Sequence, residues 1–141
     1  MNDKDIQNNI FDEPIEECSC APLTGFFRTG CCETSEKDTG NHTVCAIMTE
    51  EFLEFSKSKG NDLSSPVPAF DFPGLNSGDR WCLCAARWLE AYEASSAPLI
   101  IAKATNKRAL EIIPIEVIKE FSLDILSVSY THLTLPTKQA V

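Results

Sequence analysis

Two long segments of this chain carry no regular hydrophobic period, and they limit everything else to short elements. Between Ile10 and Thr43 the sequence is rich in Gly, Thr, Ser, Pro and Cys without helical spacing, which reads as turn-rich, irregular structure. Its apolar residues Phe11, Leu23, Phe26 and Phe27 are expected to anchor it. Between Asn61 and Asp79, Pro66, Pro68, Pro73, Gly74 and Gly78 exclude regular structure,. There Phe70 and Phe72 are expected to tuck the loop against the core. Loops of this length inside a compact domain are uncommon and, where they occur, are often functional.

The remaining segments show local signals. Thr43–Met48 (TVCAIM) has the β-branched and apolar content of a buried strand,. Thr49 then offers an N-cap, Glu50 and Glu51 suit the first turn of a helix, and Met48 and Leu53 form a hydrophobic staple,. Gly60 supplies the stop. Trp81–Ala85 is expected as a strand, followed by a helix over Trp88, Leu89 and Tyr92 that ends before Pro98,. Leu99–Ala104 and Leu110–Ile113 read as two strands joined through the polar Asn106–Lys107–Arg108,. Pro114 opens a short closing helix with Ile115, Ile118 and Phe121 inward,. The order predicts an α+β domain with a small, mainly antiparallel sheet, about three helices and long irregular loops.

Residues 1–9 are polar and expected to be a flexible N-terminus, with a single domain over 10–127. The last fourteen residues, 128–141, begin VSYTHLTLPT. They resemble a translated sequencing adapter and are expected to be a non-native tail. A net charge of −9 argues against nucleic acid or an anionic membrane as partner. The polar start MNDKDIQNNI lacks a signal peptide's apolar stretch, so a cytoplasmic, reducing location is expected,. Seven cysteines there are expected to be free, metal-bound or redox-active rather than disulfide-bonded,.

Those cysteines, Cys18, Cys20, Cys31, Cys32, Cys45, Cys82 and Cys84, fall in three regions. A metal centre needs three or four convergent soft ligands. Cys18, Cys32, Cys45, Cys82 and Cys84 could supply sulfur and His42 a nitrogen, with zinc or iron as the candidate metal. The spacings, CxC twice and CC once, are not the CxxC knuckles of zinc ribbons. Packing of small hydrophobic thiols is the simpler alternative. His42 is expected to bond a loop carbonyl at the start of its strand. Asn61 and Asp62 follow the helix stop and suit an Asx turn or a polar pocket wall. Asp79–Arg80–Trp81 suits a buried ion pair beside an aromatic, or, with Arg28, an anion site. Neither GxGxxG nor GKS is present, so nucleotide phosphate binding lacks a motif.

Four strings, PLTGFFRTGCC (Pro22–Cys32), HTVCAIMTEEFLEFSKSKGNDLSSP (His42–Pro66), FPGLNSGDRWCLCAARW (Phe72–Trp88) and AKATNKRALEIIPIEVIKE (Ala102–Glu120), resemble the bacterial domain-of-unknown-function family numbered 2237. The resemblance spans about residues 9–123. It implies a small cytoplasmic protein and brings no activity with it. Family members often carry His where this chain has Asn106, which implies that the position is not catalytic.

Two functions are consistent with these residues. One is a small-molecule or partner-binding domain whose loops form a pocket around Arg28, Asn61, Asp62, Asp79, Arg80 and Trp81. The other is a thiol- or metal-dependent enzyme or redox protein that uses the cysteine cluster.

Overall fold

The computed structural model describes residues 7–70 and 72–124. The proposed tail at 128–141 lies outside the described residues. Among those residues, three α-helices pack around a two-stranded antiparallel sheet: β1 (His42–Ile47), α1 (Glu50–Ser58), β2 (Arg80–Cys84), α2 (Ala85–Glu93) and α3 (Ile115–Phe121). The α+β class holds.

Local chemistry explains the elements. Thr49 Oγ1 accepts the Phe52 N–H at 3.0 Å, and Met48 and Leu53 are both buried across the helix start. At the other end Gly60 takes φ +87°, and the Asn61 N–H returns to the Ser56 carbonyl at 2.9 Å, closing the helix as a left-handed glycine allows. Pro114 caps α3. Trp88 of α2 is fully buried, donates its indole N–H to the Pro98 carbonyl at 3.0 Å, and meets Tyr92 and Phe121 at ring-centroid distances of 5.7 and 5.3 Å.

The sheet separates two apolar clusters by simple alternation. Val44, Ala46, Trp81 and Leu83 belong to the main core with the helices. Cys45 and Cys82 belong to a second cluster with Cys18, Cys32 and Ala104. Cys45 pairs directly with Cys82 across the ladder. The Cys82 N–H goes to Thr24 Oγ1 at 2.8 Å, and the Cys45 N–H to Thr105 Oγ1 at 3.1 Å. Both point away from the partner strand, so this is a non-hydrogen-bonded pair, the kind whose side chains lie closest.

Three expectations are corrected. Leu99–Ala104 is not a strand: Ile100 makes isolated bridges to Ala46 and Ser122, after which Asp124 accepts the Ala102 and Lys103 N–H groups at 2.8 Å each and turns the chain into a 3₁₀ turn. Leu110–Ile113 is not a strand either. Asn106 Oδ1 accepts the Arg108 N–H at 2.9 Å and starts a 3₁₀ helix over Lys107–Glu111, burying Ala109 and Ile113 at helical i, i+4 spacing,. Of the apolar anchors expected in the first long loop, Phe11 is half-buried, whereas Leu23, Phe26 and Phe27 are exposed. Polar groups hold it instead. Gln7 exchanges two hydrogen bonds with the Thr34 backbone, and the Asn106 amide reaches the Cys32 carbonyl. Of the start expected to be flexible, Gln7 is tied in this way and Asn9 is buried, donating to the Lys103 carbonyl at 3.0 Å.

Candidate functional site

The expectation that the cysteines stay unpaired is overturned for four of them. Cys18 is joined to Cys45 and Cys32 to Cys82, all four being buried. The strand register places Cys45 and Cys82 side by side, and the irregular loop carries one cysteine to each. These bonds clamp the loop to the outer face of the sheet. Cys20, Cys31 and Cys84 are free. A hydrogen bond with Glu17, then burial and the charges of Glu17 and Cys31, push the Cys20 thiol up. Burial, then Glu33 and Glu17, do the same to Cys31. Raised thiols hold little thiolate at neutral pH, which weakens them as nucleophiles. Cys84, expected in the cluster, sits instead at the N-cap of α2 without a side-chain capping bond.

The clamped loop forms one wall of a cleft of about 320 Å³ along the edge of β2. Its lining comes from three places. Gly25, Phe26 and Arg28 project from the loop, Leu63, Val67 and Phe72 from the proline-rich segment, and His42, Trp81 and Cys82 from the sheet. Trp81 is buried and meets Phe72 edge-on at 5.2 Å.

Arg28 stands over that indole, its guanidinium carbon 5.2 Å from the ring centroid. Its Nη1 donates to the Gly25 carbonyl at 2.7 Å, and it forms no ion pair among the described residues. Its backbone sits at φ +56°, a left-handed conformation that costs a non-glycine residue about 1–2 kcal/mol. Gly25 takes φ +101°, and a Cβ there would run into the Cys31 carbonyl oxygen. The tight turn is what aims Arg28 back at Trp81.

His42 borders the same cleft, stacked with Phe26 at 6.4 Å between ring centroids. It bonds not to a loop carbonyl, as expected, but to a carboxylate: Nδ1 lies 2.6 Å from Asp38 Oδ1. Asp38 also accepts the His42 N–H at 2.8 Å and the Thr34 hydroxyl at 3.0 Å. Burial alone would raise its carboxyl. The bonds from the His42 ring and backbone, the His42 charge and the Thr34 hydroxyl outweigh that and hold it below the ordinary value. A buried carboxylate that orients an imidazole leaves the other ring nitrogen for chemistry at the cleft. Gly40 makes room for this arrangement, since a Cβ there would lie 2.6 Å from His42 Cε1.

The structure therefore brings together Arg28, His42, Trp81 and Cys82, and places Asn61, Asp62, Asp79 and Arg80 outside the cleft lining. Asn61 closes α1. Asp62 makes the expected Asx turn, accepting from the Ser64 and Ser65 N–H groups. Asp79 accepts the Asn76 N–H at 2.9 Å. Arg80 is exposed and forms no ion pair among the described residues, so the expected buried pair with Asp79 is absent there. Sequence reasoning missed Asp38, although its spacing four residues before His42, across Gly40, was a readable signal.

A larger depression of about 540 Å³ adjoins Asn106. Its central amide is already used, donating to Gln7 Oε1 at 2.6 Å and the Cys32 carbonyl at 3.1 Å. The cleft at Trp81 is the better site because its charged and aromatic groups converge. No helix among the described residues is long and apolar enough to cross a membrane. No curated protein matches the chain in sequence. Residues 8–122 match the family described as "Uncharacterized protein conserved in bacteria (DUF2237)", and the chain belongs to that family.

Proposed function

We propose that this domain binds a small, flat, anionic molecule in the cleft between the Thr24–Arg28 turn and the proline-rich loop. The observation that carries this reading is Arg28, held in a costly left-handed conformation over the buried Trp81 without a carboxylate partner among the described residues. A guanidinium offers a planar fork to a carboxylate or phosphate. Trp81, Phe72 and Phe26 offer apolar and aromatic surface for a ring. In a chain of net charge −9, this local cation offsets the general repulsion of anions at the cleft. The reading includes a cytoplasmic location.

A second reading, an enzyme, is favoured by one observation: the Asp38–His42 pair borders the cleft with the geometry of an oriented general base,. Thiol catalysis has weaker support, because Cys20 and Cys31 are raised and the disulfide sulfurs are buried.

The test is a tryptophan-fluorescence titration with phenyl phosphate, benzoate and inorganic phosphate. The binding reading expects saturable change with the aromatic anions, weaker change with phosphate, and loss of both in Arg28→Ala. Equal responses from wild type and Arg28→Ala would refute it. Slow turnover of phenyl phosphate that His42→Ala abolishes would favour the enzyme.

A further inference from the structure

We infer that, in the reduced protein, Cys18, Cys32, Cys45 and Cys82 form a tetrahedral thiolate site for one zinc ion. The inference is independent of the cleft reading. The sulfurs of Cys18, Cys32 and Cys82 all lie within 4.8 Å of one another, and all three residues are buried. The fourth, Cys45, is bonded to Cys18 and pairs with Cys82 across the ladder. A zinc ion with four Zn–S bonds of about 2.3 Å spaces its sulfurs ~3.8 Å apart. Three of the sulfurs are thus already near that spacing. Cys45, which lies outside the 4.8 Å group while bonded to Cys18, completes the cage once reduction frees its side chain to turn toward the others.

The donor set suits zinc. Four buried sulfurs clustered with Ala104, Ile15 and Ile101 match a structural site, whose four coordination positions are all filled by protein. Two ligands come from adjacent strands and two from an irregular loop that few apolar side chains anchor. Metal binding would then do what the two disulfides do, fastening the loop to the sheet. Among the described residues no other group of three or more metal-ligating side chains converges in this way.

The chemistry balances. Two equivalents of a two-electron reductant, a phosphine in the test tube or a dithiol in a cell, break both S–S bonds and leave four thiols. Zinc uptake then forms four Zn–S bonds and releases four protons. A reducing compartment is where this form would prevail.

The test uses the full chain, reduced with a phosphine, desalted without oxygen and titrated with zinc alone. The expected result is uptake of one zinc per chain. Alkylation followed by peptide mass mapping should then label Cys20, Cys31 and Cys84, with Cys18, Cys32, Cys45 and Cys82 lost from the labelled set. Cobalt(II) in place of zinc should give the intense ligand-field bands of a tetrahedral thiolate site. The variant Cys20→Ser/Cys31→Ser/Cys84→Ser, which leaves the buried cluster intact, should keep full uptake. Substoichiometric uptake by the reduced wild type, uptake lost in that triple variant, or unprotected cluster cysteines in the presence of zinc would each overturn the inference.

Discussion

Cys45 and Cys82 stand opposite each other on β1 and β2, yet each is bonded to a cysteine of the N-terminal loop rather than to its neighbour. The sheet thus carries a double clasp, and the loop that bears Arg28 is fastened to the strand that bears Trp81. The cleft depends on that fastening, because Leu23, Phe26 and Phe27 of the loop are exposed rather than packed in the core.

The two bonds close segments with sequence separations of 27 and 50 residues. Chain entropy assigns such bonds about 3–4 kcal/mol each, the longer loop more. Under oxidising conditions, Cys32→Ser/Cys82→Ser should therefore lose more stability in urea than Cys18→Ser/Cys45→Ser. Equal or reversed losses would show that the bonds act through something other than loop closure.

Asp38 makes stability depend on acid. Its folded carboxyl lies below the ordinary value of 3.8, so the stabilisation is complete above that value and is lost as pH falls through the lower, folded one. Asp38→Asn should cost about 1–3 kcal/mol at neutral pH. The gap from wild type should close in strong acid. Denaturant curves at several pH values check this, and a gap that stays constant with pH would contradict it.

Gly40 is required by the His42 ring rather than by a left-handed turn. A Cβ there would crowd Cε1 at 2.6 Å and Nδ1 at 3.1 Å, so Gly40→Ala should push the imidazole off Asp38. Nitrogen-15 spectra of the ring should then lose the hydrogen-bonded Nδ1 signal while the fold persists. Retention of that signal would mean that the loop yields instead.

Arg28 exchanges stability for position. Glycine adopts φ +56° freely, so Arg28→Gly should be more stable than Arg28→Ala by about 1 kcal/mol, although both lose the guanidinium over Trp81. Thermal or urea midpoints compare the pair directly. Equal stability would show that the turn does not strain this residue.

Legibility followed the range of the determining contacts. Helix α1 could be read from the chain because Thr49, Met48, Leu53 and Gly60 act within a few residues of one another. Leu99–Ala104 was misread because Asp124, more than one element away, ends its extended course. Leu110–Ile113 was misread because an apolar run shows no period until Asn106 caps it. Arg28, Trp81, His42 and Cys82 were each singled out as candidates, but their meeting depends on cysteine pairing that spacing alone leaves open. Arg80 drew attention as a charge beside Trp81, yet it stands at the first position of β2, where the strand is exposed.

The central claim is that Arg28 and Trp81 together form an anion-recognition site. Its most direct test is an NMR titration of the oxidised, full chain with phenyl phosphate, following the Trp81 indole and Arg28 side-chain N–H signals. The account predicts that both shift together along one saturating curve, that the Trp88 indole in the core stays still, and that the Trp81 response vanishes in Arg28→Ala. Shifts confined to other surfaces, or a Trp81 response that survives in Arg28→Ala, would contradict it.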